Sequence, residues 1–397
     1  MFALVAVVLV AAPLPGRHPW AHFKPGAWSQ YVMGGAEFRR GAVTLKKVGG
    51  GKHTLESTGA MEKTNGTSDL GVENASSSAA AKLLRKEKVQ ALGKEFDCDV
   101  YEWKSDTETN TEWVAAGLEW PVKERYVAPG RDSQWTLAAL DVPMFVGGKK
   151  LKAARFEGTN PQGKMRMWRT HEVPGAVVAF ETLDEKNQLT SFKILEAFGT
   201  SGKPPGAEVA KYHWHPWASH PVGAWRKGTD GEVKLGAKTA THVTLNKNTV
   251  ALGQDAAAAD PSSKFVGGAA VTIGGEELPC VLYTFLGKEL LGTTEFKRTD
   301  CVSPFARVPL MSEVKGNVAG TDYLDLYTSL TLEEPMELAG KTIGAQKFRL
   351  GQKLGNGGGH ERREIYSADV PGGRVKLEHV DPRPYDKVSQ LQDFGAK

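Results

Sequence analysis

A cluster of histidines, the three cysteines and two recurring pairs of acids are the residues of this chain whose types and spacing could do chemistry. His213, His215 and His220 crowd the segment His213-Trp214-His215-Pro216-Trp217-Ala218-Ser219-His220. In an extended strand His213 and His215 point the same way, as two ligands of one metal ion would. No C-x2-C pair, H-E-x-x-H helix or dense carboxylate partner stands nearby in sequence. Metal-assisted hydrolysis at these histidines is therefore the alternative reading, and packing the favoured one. Glu172 and Glu181 recur as Asp369 and Glu378, and paired carboxylates can serve as acid and base. With Pro174-Gly175 at the centre of a tight turn, Glu181 falls opposite Trp168, roughly 13 Å along the strand pair from Glu172. Glycosidase carboxylates stand about 5 to 9.5 Å apart, so these acids read as turn-flanking and strand-surface charges.

Three cysteines allow at most one internal bridge. A hairpin turning near Leu290-Leu291 sets Cys280 and Cys301 face to face as a candidate disulfide, with Cys98 left as a buried thiol; three small buried hydrophobes are the alternative. No G-x-S-x-G elbow, Walker loop, C-x-x-C-H site or dinucleotide fingerprint is present. Gly355-Asn356-Gly357-Gly358-Gly359 precedes a strand and reads as a hairpin tip. No catalytic residue and no cofactor is expected, and no ligand-binding residue can be named from the sequence.

The elements that must position these residues come in two copies. His18-Pro19-Trp20-Ala21, four residues and Gly26-Ala27-Trp28 return as His215-Pro216-Trp217-Ala218, four residues and Gly223-Ala224-Trp225. Val173-Pro174-Gly175 with Val178 and Glu181 returns as Val370-Pro371-Gly372 with Val375 and Glu378. Trp20, Trp28, Pro174, Gly175, Trp217, Trp225, Pro371 and Gly372 are thus the landmarks of a tandem duplication. Between them, Cys98 and Tyr101 match Cys280 and Tyr283, and Pro143-Met144 through Phe156 match Pro335-Met336 through Phe348. Thr44 to Lys47 match Thr244 to Lys247, and Pro121 matches Pro304 with a one-residue slip. A unit of this length is a whole domain rather than a solenoid repeat. The expected organisation is a signal-like segment over 1–16, a first β-domain over 17–199, a Pro/Gly-rich linker over 200–214 and a second β-domain over 215–397.

Period-two alternation dominates both copies. Leu324, Leu326, Leu330 and Leu332 take one face, and Tyr323, Asp325 and Tyr327 the other. Roughly nine or ten strands per copy exceed what an open sheet carries without curling. The fold class expected is mainly β, with two tandem copies of a strongly curved antiparallel sheet or half-barrel. A single helix is expected over Ser76 to Lys88, where Ala, Leu, Lys and Glu supply propensity; copy two has Gln254 to Pro261 there.

Residues Met1 to Ala12 are nearly all apolar and end in Val10-Ala11-Ala12, a pattern that a signal peptidase could cut before Pro13; a buried strand is the alternative. Export to the periplasm or outside the cell is expected, with no transmembrane span in the mature chain. Hydrophobic residues make up 40%, charged residues 24%, and the net charge is +4. That mild balance, without Lys/Arg runs, argues against nucleic acid as a partner.

The chain resembles a type of exported bacterial protein with a Gly-x-Trp opening strand and a closing element of an aromatic, four residues and Val-Pro-Gly. Here these are Gly26-Ala27-Trp28 with Trp168 to Gly175, and Gly223-Ala224-Trp225 with Ile365 to Gly372, Ile365 departing from the aromatic. More distantly, the architecture is similar to the half-barrel of periplasmic lipoprotein carriers. That resemblance implies a concave sheet able to hold an acyl chain and carries no catalytic residue across. The function expected is a non-enzymatic exported protein binding a hydrophobic small molecule or an envelope protein. The alternatives are the histidine-seated hydrolase and a purely structural envelope protein.

Overall fold

The structure is a computed structural model describing residues 19–20, 22–35, 37–49, 52–59, 67–69, 81–104, 108–160, 163–204, 216–217, 219–229, 231–239, 242–246, 248–251, 264–288, 295–318, 320–355, 359–380 and 389–395. The chain divides into two compact units, Met1–Pro204 and Pro205–Lys397, parting between the paired prolines of the linker.

Unit 1 holds β1 (Trp28–Gly34), β2 (Arg39–Gly49), β3 (Lys52–Gly59), β4 (Thr67–Asp69), β5 (Lys82–Ala91), β6 (Lys94–Lys104) and β7 (Thr109–Ala115). It continues with β8 (Lys123–Ala128), β9 (Arg131–Val146), β10 (Lys149–Asn160), β11 (Gly163–Arg169), β12 (Val177–Leu183) and β13 (Leu189–Gly199). All thirteen form one antiparallel sheet in the order β4-β3-β2-β1-β13-β12-β11-β10-β9-β8-β7-β6-β5.

Unit 2 holds β14 (Trp225–Gly228), β15 (Gly231–Lys238), β16 (His242–Leu245), β17 (Asn248–Ala251), β18 (Lys264–Ile273), β19 (Glu276–Lys288) and β20 (Glu295–Val302). It continues with β21 (Met311–Val318), β22 (Thr321–Ser329), β23 (Glu334–Leu338), β24 (Lys341–Leu354), β25 (Gly359–Tyr366), β26 (Arg374–His379) and β27 (Ser389–Gly395). Its order is β17-β16-β15-β14-β27-β26-β25-β24-β22-β21-β20-β19-β18, with β23 also on β24. Strand for strand this repeats unit 1, the long β9 being divided into β22 and β23. Two tandem copies of one antiparallel sheet are therefore present, each with more strands than the alternation reveals. The short β3 and β4, rich in Ser, Thr and Gly, carry little period-two signal.

The repeated landmarks close each unit by seating a tryptophan on a glycine. A Cβ added at Gly175 would lie 3.1 Å from Trp20, and one at Gly372 would lie 3.0 Å from Trp217. Trp28 covers Gly199 and Trp225 covers Gly395 in the same way. Trp20 and Trp217 are buried beside Leu45 and Leu235 respectively, each a large apolar side chain in the core of its unit.

Several details differ from the sequence reading. Residues 82–88, expected as the end of a helix, lie in β5, and 71–80 and 254–261 fall outside the described residues. The Lys/Glu-rich composition that favours a helix here serves a charged strand at the sheet edge, paired along its length with β6. The match of Thr44–Lys47 with Thr244–Lys247 is one strand out of step. Leu45 and Leu235 are the counterparts, bonded to Ala27 and Ala224, while Leu245 sits opposite Leu235 as Leu55 sits opposite Leu45. The counterpart of Pro121 is Pro309, because Val122 bonds back to Trp113 as Leu310 bonds back to Cys301. On β22 and just after it the leucines do not take the inner side: Leu326 is 37% and Leu330 43% exposed, whereas burial pushes the Tyr327 phenol up to about 12. No helix among the described residues is long and apolar enough to cross a membrane.

Candidate functional site

The histidines give no assembled metal centre among the described residues. His213 and His215 lie outside those residues. His220 sits beside the Pro371-Gly372 turn, within reach of the backbone at Val370 and Ala368, and burial lowers its pKa.

The recurring acids are structural in geometry. Glu172 accepts a hydrogen bond from the Lys152 amide at 3.3 Å, and Asp369 accepts one from the Gly344 amide at 2.9 Å, the same position in each copy. Asp369 is also gripped by Arg307, which holds Glu333 as well. Glu181 lies opposite Arg166 rather than Trp168, because the strands are joined by a wider loop closed by the Thr170 amide on the Ala176 carbonyl, and it pairs with the Arg166 guanidinium at 2.7 Å.

Cys280 and Cys301 are buried thiols with sulfurs 2.7 Å apart. They are diagonal neighbours: Cys301 stands opposite Leu282, two residues on from the face-to-face register expected. In unit 1 the counterparts are Cys98 and Trp113, so the fold itself does not demand the second sulfur. Cys98 is a buried thiol, with its pKa pushed up to about 11 chiefly by burial.

What distinguishes the two copies is one face of the sheet. In unit 1 the register lines up a row across six strands: Leu137 on β9, Phe156 on β10, Met167 on β11, Phe180 on β12, Lys193 on β13 and Met33 on β1. The next row along adds Trp135, Gly158 and Met165. A side chain at Gly158 would strike the Trp135 ring at 2.6 Å, so glycine there lets the indole lie over β10. The Trp135 and Phe180 rings meet edge to face at 5.8 Å, although their strands are three apart and roughly 14 Å distant in a flat sheet. β9 also touches β13 and β5, each four strands away. The sheet therefore curls, and this is its concave face. Trp135, Leu137, Phe156 and Met165 are buried, while Met33, Met167, Phe180 and Lys193 are only half-buried. The apolar lining thus reaches solvent along one side.

Unit 2 holds the same rows with other chemistry. Leu137, Met167, Phe180 and Lys193 become Ser329, Glu364, Leu377 and Ser389, and Trp135 and Met165 become Tyr327 and Arg362. Gln346 donates to Ser329 at 2.8 Å, and Asp300 accepts from Arg298 at 2.6 Å and from Ser312 at 2.5 Å. Burial raises the pKa of Glu364 despite its bond to Tyr366 and the guanidiniums of Arg374 and Arg362, and Asp325 adds to the rise. The pKa of Asp325 is itself raised by burial. One oxygen each of Asp325 and Glu364 and the Arg362 Nε are buried without a hydrogen-bond partner among the described residues. Buried charge of this kind costs stability, and unit 1 shows that the scaffold stands without it.

None of these residues forms a sequence motif. The signal available was the constant offset between Val173-Pro174-Gly175 and Val370-Pro371-Gly372: carried back along the strands, it sets Met165 and Met167 against Arg362 and Glu364.

No protein-family model and no curated protein matches this sequence. Among solved structures the chain is similar to MucB in complex with MucA(peri), at 10% identity over 83% of this chain and 88% of that one, with a TM-score of 0.22. It is also similar to the Pseudomonas aeruginosa MucA/MucB complex, at 12% identity over 85% and 91%, with a TM-score of 0.24. At that identity and overlap the likeness is a distant one of fold and carries nothing about ligand, partner or compartment.

Proposed function

We propose that this protein is a non-enzymatic binding protein, exported by its apolar leader, that holds a hydrophobic ligand on the concave face of unit 1. The observation that carries this reading is the contrast between copies. Met165 and Met167 are apolar where the same scaffold accepts Arg362 and Glu364, so their character answers to something other than the scaffold's own needs. Methionines beside aromatic rings make an adaptable apolar surface of the kind that takes flexible chains. The half-buried Met33, Met167 and Phe180 give such a chain a way in.

The test is uptake of the uncharged fluorescent probe N-phenyl-1-naphthylamine by the wild-type chain and by Met167→Glu, which installs the residue of the other copy. Binding is expected to weaken by about tenfold or more, since a carboxylate is set against the probe. Equal uptake by both chains, each shown to be folded by its melting curve, would end this reading.

A further inference from the structure

The row across the concave face of unit 1 contains one charged side chain. Lys193 stands between Phe180 on β12 and Met33 on β1, and its ammonium lies 4.1 Å from the centroid of the Tyr31 ring. Around it, the Tyr31 phenol is held neutral by burial, and Arg39, opposite Met33, is exposed and paired with Glu37. No carboxylate lies within ion-pair distance of Lys193 among the described residues, and desolvation alone moves its pKa, down to about 8. An ammonium set against hydrocarbon with only a ring face for counter-charge is costly to keep. The sheet does not demand it, because Ser389 occupies the position in unit 2, opposite Leu377 as Lys193 is opposite Phe180.

We infer that the ligand of this face is a single-chain amphiphile ending in a carboxylate, its chain laid over Met33, Met167 and Phe180 and its head paired with the Lys193 Nζ. The inference rests on the apolar seat proposed above and adds the head group to it. At neutral pH the ammonium form still predominates, and a bound carboxylate would favour it further.

Displacement of N-phenyl-1-naphthylamine from the whole chain by decanoate and by decanol separates the head group from the chain. Decanoate is expected to displace the probe at a concentration about tenfold lower than decanol. Lys193→Met should bring the two to the same concentration, and Lys193→Arg, which keeps the charge, should preserve the preference. Equal displacement of the wild type by both compounds, or a preference that survives in Lys193→Met, would overturn the head-group assignment while leaving the apolar seat in place. A probe that does not bind the wild type at all would remove the seat itself.

Discussion

At the scale of the residue, the two copies differ by how they meet the cost of burial. Glu364 is one test. Its folded-state pKa is raised because desolvation outweighs the attraction of Arg362 and Arg374, so protonation favours the folded state. The stability this confers is fully present below the unfolded carboxylate value, about 4.3, and is lost as pH rises through the raised value. Glu364→Gln, which mimics the protonated form, should therefore match the wild type in acid and exceed it at neutral pH. Denaturant titrations across that range check this, and a variant less stable than wild type at pH 7 would contradict it. The cysteines are a second test. In an oxidising compartment we propose that Cys280 and Cys301 join, each thiol giving up a proton and an electron to a disulfide oxidant that is reduced to its dithiol. With the two cysteines 21 positions apart, the bridge should add about 3 kcal/mol. Reductant should then lower the melting temperature of the oxidised wild type and leave Cys301→Ser unmoved; identical melting of the two redox forms would count against the bridge. The pair was visible in the sequence, but its diagonal geometry was not, because residues 289–294 do not disclose where the hairpin turns.

At the scale of the element, the landmarks explain themselves once Trp20 is seen on Gly175 and Trp217 on Gly372. Both glycines have left-handed φ, +81° and +79°, so alanine there is strained and also presses on the indole. Gly175→Ala and Gly372→Ala should each destabilise by about 1 to 3 kcal/mol, read from thermal unfolding. A change within a few tenths of a kcal/mol at either site would show that the seat is not rigid. These contacts recur at constant spacing, which is why the duplication could be read from the chain. The register within each copy could not. Trp28 to Leu45 spans more residues than Trp225 to Leu235, and this difference carried the match of Thr44 onto the wrong strand. The inner face was equally obscure: Trp168 and Met167 are both apolar, and on β22 the tyrosines and Asp325, not the leucines, turn inward.

At the scale of the whole molecule, one strand order is written twice, and the two interiors are written in different chemistry. Tandem copies of one topology carry a folding hazard, since a strand of one half can be taken up at the matching place in the other. Here such an exchange is penalised. If the strand bearing Arg362 and Glu364 replaced the one bearing Met165 and Met167, it would bring two charges among Trp135, Phe156 and Phe180 without their partners. The reverse exchange would strip Tyr327 and Asp325 of theirs. The divergence of the two faces thus sets a stability cost on a strand seated in the wrong half.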